Sequence, residues 1–120
     1  MFYKGKKVLV TGSGGLVGTQ VAKLLLEQGA EVRGTYRNRK VPSWVGELET
    51  MKCDFMNIED VKMAVKGMDI VFVCSANTYG AGVMAHDPLQ HVTPNLIMNS
   101  TLMEESYRAG VERFFFVSSA

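Results

Sequence analysis

Thr11-Gly12-Ser13-Gly14-Gly15-Leu16-Val17-Gly18 is the stretch on which the reading of this chain turns. Just before it, Lys7-Val8-Leu9-Val10 is a short apolar run of the kind a strand covered on both faces carries. Just after it, from Gly15 to Gln28, Leu16, Val17, Val21, Leu24 and Leu25 follow helical spacing among polar residues. Gly29 stands where that helix should stop. The stretch is therefore a turn between a strand and a helix. Its glycines are spaced G-x-x-G-x-x-G through Gly12, Gly15 and Gly18, with Gly14 as an extra. Gly12 lets the chain leave the strand sharply, Gly15 lets backbone come close to a ligand, and Gly18 lets the helix pack tightly on the sheet. Unpaired N–H groups at a helix start favour an anion, a diphosphate above all. On the residues alone three occupants stay open: a dinucleotide, a flavin or mononucleotide, or nothing beyond an ordinary turn.

Outward from the turn, strands and helices alternate without linker or repeat. Glu31 to Tyr36 reads as a second strand and Glu49 to Asp54 as a weaker third. Asn57-Ile58-Glu59-Asp60 looks like an N-cap with acids in the first turn of a helix running through Val61, Ala64 and Val65 to Gly67. Ile70 to Cys74 is a continuous apolar run, and Arg113-Phe114-Phe115-Phe116-Val117 is the last strand, its phenylalanines expected in the strand interior. Between them Thr93-Pro94 opens a helix that Gly110 closes, and residues 77–92, with Gly80, Gly82 and Pro88, form the one long loop. Such alternation predicts an α/β fold: a doubly wound parallel sheet of the Rossmann type, with right-handed crossovers. The expectation is a single dinucleotide-binding domain over residues 1–120.

Composition agrees with one compact domain. The 120 residues are 47% hydrophobic and 21% charged, and 13 basic against 12 acidic side chains leave a net charge of +1. So even a balance argues against a nucleic-acid surface, and so much apolar content against disorder. No secretory signal or apolar stretch of spanning length is present, so no membrane association is expected. Cys53 and Cys74 form no C-x-x-C pair and read as buried thiols, which fits a reducing cytoplasm. His86 and His91 with Asp87 lack a third ligand at metal-binding spacing, so no metal is expected.

The second strand ends in Gly34-Thr35-Tyr36-Arg37-Asn38-Arg39-Lys40. An NAD site usually places an acid there for the ribose hydroxyls, and this strand end has none. A guanidinium can instead hold a 2′-phosphate through two charged hydrogen bonds. Arg37 is best placed, with Arg39 and Lys40 nearby, so NADP is expected rather than NAD; a solvated basic loop is the alternative.

With these pieces in hand, the chain resembles the extended short-chain dehydrogenase/reductase family, more narrowly its nucleotide-sugar epimerases, dehydratases and reductases. Thr11 to Gly18, Cys53-Asp54-Phe55, Asp69 to Phe72 running into Ser75-Ala76-Asn77, Asn95, and Gly110 to Phe114 leading to Val117-Ser118-Ser119-Ala120 carry the likeness. The resemblance implies that Gly12, Ser13, Gly15, Leu16, Val17 and Gly18 line the diphosphate and that Arg37 meets the 2′-phosphate. It implies further that Asp54 and Phe55 flank the adenine, that Ser75, Ala76 and Asn77 pass beneath the ribose, and that Asn95 sits behind the nicotinamide. Ser119 matches the family's catalytic Ser/Thr, and a nucleotide-activated sugar is the implied substrate. Tyr79-Gly80-Ala81-Gly82 resembles the family's glycine-rich loop near that sugar.

One departure stands out. The family's chemistry needs a Tyr and a Lys four residues apart on one helix turn, after the catalytic Ser. Tyr3/Lys7 and Tyr36/Lys40 have that spacing but lie at a strand start and in a loop. The expectation is an N-terminal portion that binds cofactor and does not turn over substrate alone. A non-catalytic nucleotide-binding module and a reductase of small carbonyl compounds remain as rivals. Met98, Leu102 and Tyr107 at roughly helical spacing are read either as core or as the face of a homodimer helix spanning 94–109.

Overall fold

The computed structural model describes residues 3–74 and 89–117. In chain order these are β1 (Lys7–Thr11), α1 (Leu16–Glu27), β2 (Glu31–Tyr36), a short 3₁₀ turn (Ser43–Val45), β3 (Glu49–Lys52), α2 (Ile58–Val65), β4 (Ile70–Val73), α3 (Leu89–Arg108) and β5 (Arg113–Phe116). The five strands lie in the order β3-β2-β1-β4-β5, and all four pairings are parallel. This is the doubly wound Rossmann-type arrangement.

Side-chain alternation along the strands explains the two covered faces. Val8, Val10, Val32 and Ile70 point to one side, where Ala22 and Leu25 of α1 and Val45 close over them. Leu9, Val71 and Val73 point to the other, against Val61, Ala64 and Val65 of α2 and Leu102 of α3. Val8, Leu9, Val10, Ile70 and Val71 have no exposed surface, so β1 and β4 are the sheet's dry centre. The chain winds outward from β1 through β2 to β3, then returns to the other side of β1 for β4 and β5. Strand order reverses between β1 and β4, and in open sheets of this kind a crevice forms at the carboxyl ends of those two strands.

Local chemistry sets the helix ends. Asn57 caps α2, its side chain accepting from the Glu59 amide at 3.0 Å, with Glu59 and Asp60 in the first turn as expected. The other end of α2 is held from β2: Arg33 Nη1 donates to the carbonyls of Met63 (3.2 Å), Ala64 (2.9 Å) and Lys66 (2.9 Å), while its Nε donates to Glu49 at 2.7 Å.

Several expectations need correction. The helix expected from Thr93-Pro94 starts a turn earlier, at Leu89, so Pro94 lies inside α3. As the sixth residue of α3 it lies past the N–H groups that a helix start leaves unpaired, so the helix gives up one i→i−4 hydrogen bond there. Phe114 to Phe116 do form a strand, but β5 is outermost, and Phe115 and Phe116 are exposed. Phe115 stacks on Phe72 of β4 at 4.9 Å, and Phe114 packs into the core beneath α3. Leu16, Val17 and Leu24 keep helical spacing but stand exposed on α1, whose buried face is Gly18, Thr19, Ala22 and Leu25. Tyr107 is also exposed: five residues beyond buried Leu102 it has rotated off that face, which Glu105 and Ser106 occupy. Cys53 is buried as expected, whereas Cys74 is only half-buried. Among the described residues, no helix is long and apolar enough to cross a membrane.

Candidate functional site

The glycine turn leaves β1 at Thr11, whose buried hydroxyl accepts the Cys74 amide at 3.1 Å and so ties the carboxyl end of β1 to that of β4. Gly12 follows with φ +67°, a conformation other residues adopt only with strain. Gly15 is the N-cap of α1 and donates its amide back to the Gly12 carbonyl at 3.0 Å. Gly18, one turn into the helix, is buried against the turn itself. A β-carbon there would lie 2.7 Å from the Gly12 carbonyl carbon and 3.0 Å from the Ser13 Cα.

Ser13 is spent inside the protein. Its amide (2.9 Å) and its hydroxyl (3.0 Å) both donate to the Thr35 carbonyl of β2, and the residue is fully buried. Gly34 makes room for it, since a β-carbon on Gly34 would stand 2.5 Å from Ser13 Oγ. Ser13 therefore supports the turn from beneath.

What remains open is the start of α1. Thr19 N–H reaches the Gly15 carbonyl (3.0 Å), whereas the amides of Leu16, Val17 and Gly18 have no hydrogen-bond partner among the described residues. No side chain caps this helix start, no acid occupies its first turn, and Leu16 is 82% exposed. Three unsatisfied donors at the positive end of a helix dipole suit an anion with several oxygens.

Arg37 lies just past β2, exposed, with no ion pair among the described residues. The Cys53 amide donates to the Tyr36 carbonyl at 2.9 Å, so Asp54 and Arg37 continue from neighbouring strand ends. Asp54 is half-buried; its amide bonds Asp60 and its own carboxylate accepts from Met56, both across the turn into α2. Phe55 is 8% exposed and sits in the core, leaving little of its ring to meet a ligand. Burial pushes the Cys53 and Cys74 thiols up to about 11, so both stay protonated near neutrality. Ser75, Ala76, Asn77, Tyr79 to Gly82, His86 and Ser119 fall outside the described residues. Asn95 lies on α3, where only the backbone is described.

Two features escaped the sequence. Thr11 reads from the sequence as the start of the turn and proves to be the last residue of β1 and the link between β1 and β4. Gly14 is not a spare glycine: a β-carbon on it would meet the Arg39 carbonyl oxygen and stand 2.8 Å from the Arg39 carbonyl carbon and 3.2 Å from the Lys40 carbonyl oxygen. No spacing rule exposes a contact with a loop 25 positions further on.

A glycine turn opening the first helix of a parallel sheet, beside the point where strand order reverses, defines a nucleotide-binding unit of the Rossmann class. The chain belongs to the NAD dependent epimerase/dehydratase family, whose model matches residues 8–120. Cinnamoyl-CoA reductase 1 of Petunia hybrida is 32% identical, over 96% of this chain and 35% of that protein. Among solved structures, the epimerase Mth375 of Methanothermobacter thermautotrophicus is 30% identical with a TM-score of 0.85, over 99% of this chain and 37% of that one. UDP-glucose-4-epimerase of Stenotrophomonas maltophila, solved with bound NAD and formylated UDP-arabinopyranose, shares the fold at a TM-score of 0.82 and 23% identity, over 96% of this chain and 37% of its own. The chain thus spans about a third of the length of the curated relatives it matches.

Proposed function

We propose that this chain holds the adenine-nucleotide end of NADP for an oxidoreductase. One observation carries the reading: three unpartnered amides at the start of α1 are joined, through Ser13 and Thr35, to a strand end that bears Arg37 and no carboxylate. The residues fit such a group. Gly12 and Gly15 keep side chains out of the cradle; Leu16, Val17 and Gly18 offer amides to the diphosphate; Ser13 supports them from below. Arg37, with no ion pair among the described residues, offers its guanidinium to a 2′-phosphate, which a carboxylate would repel and two parallel charged hydrogen bonds hold. Asp54 and Phe55 border the adenine by position, through backbone more than ring. Ser75, Ala76 and Asn77 beneath the ribose, Asn95 behind the nicotinamide and Ser119 as the residue that polarises a substrate oxygen complete the reading by resemblance. When bound, the nicotinamide supplies a carbon that accepts or donates hydride; the turn's part is to fix where the nucleotide lies.

For the whole protein we favour a nucleotide-activated hexose as substrate, on the resemblance of the sequence; the family match and the likeness to an epimerase at 30% identity support the epimerase/dehydratase class of reaction. The 32% identity to a cinnamoyl-CoA reductase supports a second reading, reduction of a smaller carbonyl compound. Ile97, Met103 and Tyr107, exposed on α3, are the residues through which two copies would pair.

Titration of the chain with NADP⁺ and NAD⁺, before and after Arg37→Ala, tests the cofactor. The substitution should weaken NADP⁺ roughly 10- to 100-fold, the equivalent of about 1.5–3 kcal/mol for a charged hydrogen-bonding group, and leave NAD⁺ within about twofold. Equal loss for both, or loss for neither, overturns the assignment.

A further inference from the structure

The diphosphate turn and the basic segment that follows β2 lie far apart in sequence, yet the fold joins them at two points. At the first, Ser13 places both its amide (2.9 Å) and its hydroxyl (3.0 Å) on the Thr35 carbonyl. At the second, Gly14 lies against the backbone of Arg39 and Lys40, so close that a β-carbon would meet the Arg39 carbonyl oxygen and come within 2.8 Å of its carbon. Arg37 stands between these points in the chain, two residues after Thr35 and two before Arg39. Its own side chain makes no ion pair among the described residues, so nothing but the backbone path fixes where the guanidinium begins.

We infer that Gly14 is a positioning residue for cofactor choice: by admitting the Arg39 carbonyl against its Cα, it sets the distance between the diphosphate amides and the Arg37 guanidinium. This rests on the NADP reading above and adds to it a residue that touches neither phosphate. A methyl group at position 14 cannot be absorbed by rotating a side chain, because its neighbours are peptide carbonyls. Either the turn moves or the segment after β2 moves. The turn is pinned by Ser13 on Thr35 and by Gly15 on Gly12, whereas Arg37 to Lys40 are exposed outside any strand or helix. The segment gives way, carrying Arg37 with it. Charged hydrogen bonds to a phosphate depend steeply on distance and angle, so the 2′-phosphate loses its partner while the diphosphate amides stay in place.

The test is a binding matrix on the full chain: wild type, Gly14→Ala, Arg37→Ala and the double variant, each titrated with NADP⁺ and NAD⁺ and checked for folding by circular dichroism. Gly14→Ala should weaken NADP⁺ about tenfold or more and NAD⁺ by less than about twofold. In the double variant its effect on NADP⁺ should vanish, because the group it positions is gone. If Arg37→Ala changes the NADP⁺/NAD⁺ ratio and Gly14→Ala does not, the inference falls and the cofactor assignment stands. If Gly14→Ala weakens both nucleotides alike, it acts on the turn and the inference again falls. If Arg37→Ala leaves the ratio unchanged, both fall together. Should Gly14→Ala fail to fold, Ser13→Ala loosens the same joint by one hydrogen bond; it should shift the ratio the same way by a few fold, and an unchanged ratio overturns the inference.

Discussion

Gly18→Ala should lower the stability of the chain by roughly 2–3 kcal/mol and remove nucleotide binding, although it adds a single methyl group to a helix. In an exposed helix that change is favourable, since alanine is the best helix former and glycine among the poorest. Here the methyl would sit 2.7 Å from the Gly12 carbonyl carbon and 3.0 Å from the Ser13 Cα, all backbone. None of it can yield. Gly12 is held at φ +67°, Ser13 is tied twice to Thr35, and Thr11 is tied to Cys74. The helix must therefore lift off the turn, and the amides of Leu16, Val17 and Gly18 leave the position that lets them share one anion. Gly67→Ala is the comparison: its φ is +77°, but nothing lies within 4 Å of an added β-carbon. It should cost only the left-handed backbone strain, about 1 kcal/mol, with binding intact. Urea unfolding and NADP⁺ titration of the two variants decide the matter. A Gly18→Ala protein as stable as Gly67→Ala, or one that still binds, would show that close packing of α1 on the turn does not build the site.

That contrast marks what the sequence could carry. The three spaced glycines announced their roles because each role depends on immediate neighbours: a turn off a strand, an N-cap, a first helical turn. Likewise the buried runs Val8 to Val10 and Ile70 to Val73 could belong only to covered strands, and their alternation with helices left a parallel sheet as the economical fold. Contacts between distant segments were not legible. Gly14 was surplus by spacing and matters because Arg39 crosses over it; Ser13 was expected to meet a ligand and instead holds up the turn. Phe114 to Phe116 read as the body of a strand and form one, yet how far their rings stay exposed depends on strand order, which no local pattern specifies. Nothing near Arg33 in the sequence gives away its structural role, because its partners, the last carbonyls of α2, become its neighbours only when β2 and α2 come together.

The stripe on α3 separates these two kinds of information most sharply, and its test carries the other large effect. Spacing alone grouped Met98, Leu102 and Tyr107. The fold splits them: Leu102 is 1% exposed within the cluster of Leu9, Val61, Val65 and Val71, Met98 packs on that cluster's margin, and Tyr107 is 86% exposed. Leu102→Ala should therefore cost roughly 2–5 kcal/mol, the sum of lost burial and the cavity left among side chains of two strands and a helix that cannot close over it. A chain of this size commonly has a total stability of about 5–15 kcal/mol, so the variant should melt many degrees lower or fail to fold. Tyr107→Ala removes a larger side chain and should change stability by less than about 0.5 kcal/mol in dilute solution. Thermal and urea unfolding of both variants, repeated over a range of protein concentration, give the answer. Comparable losses would mean that α3 is rotated from the orientation described. A Tyr107→Ala loss that appears only at high concentration would instead locate a contact between two copies of the chain on the exposed face of α3, since only an interface links stability to concentration.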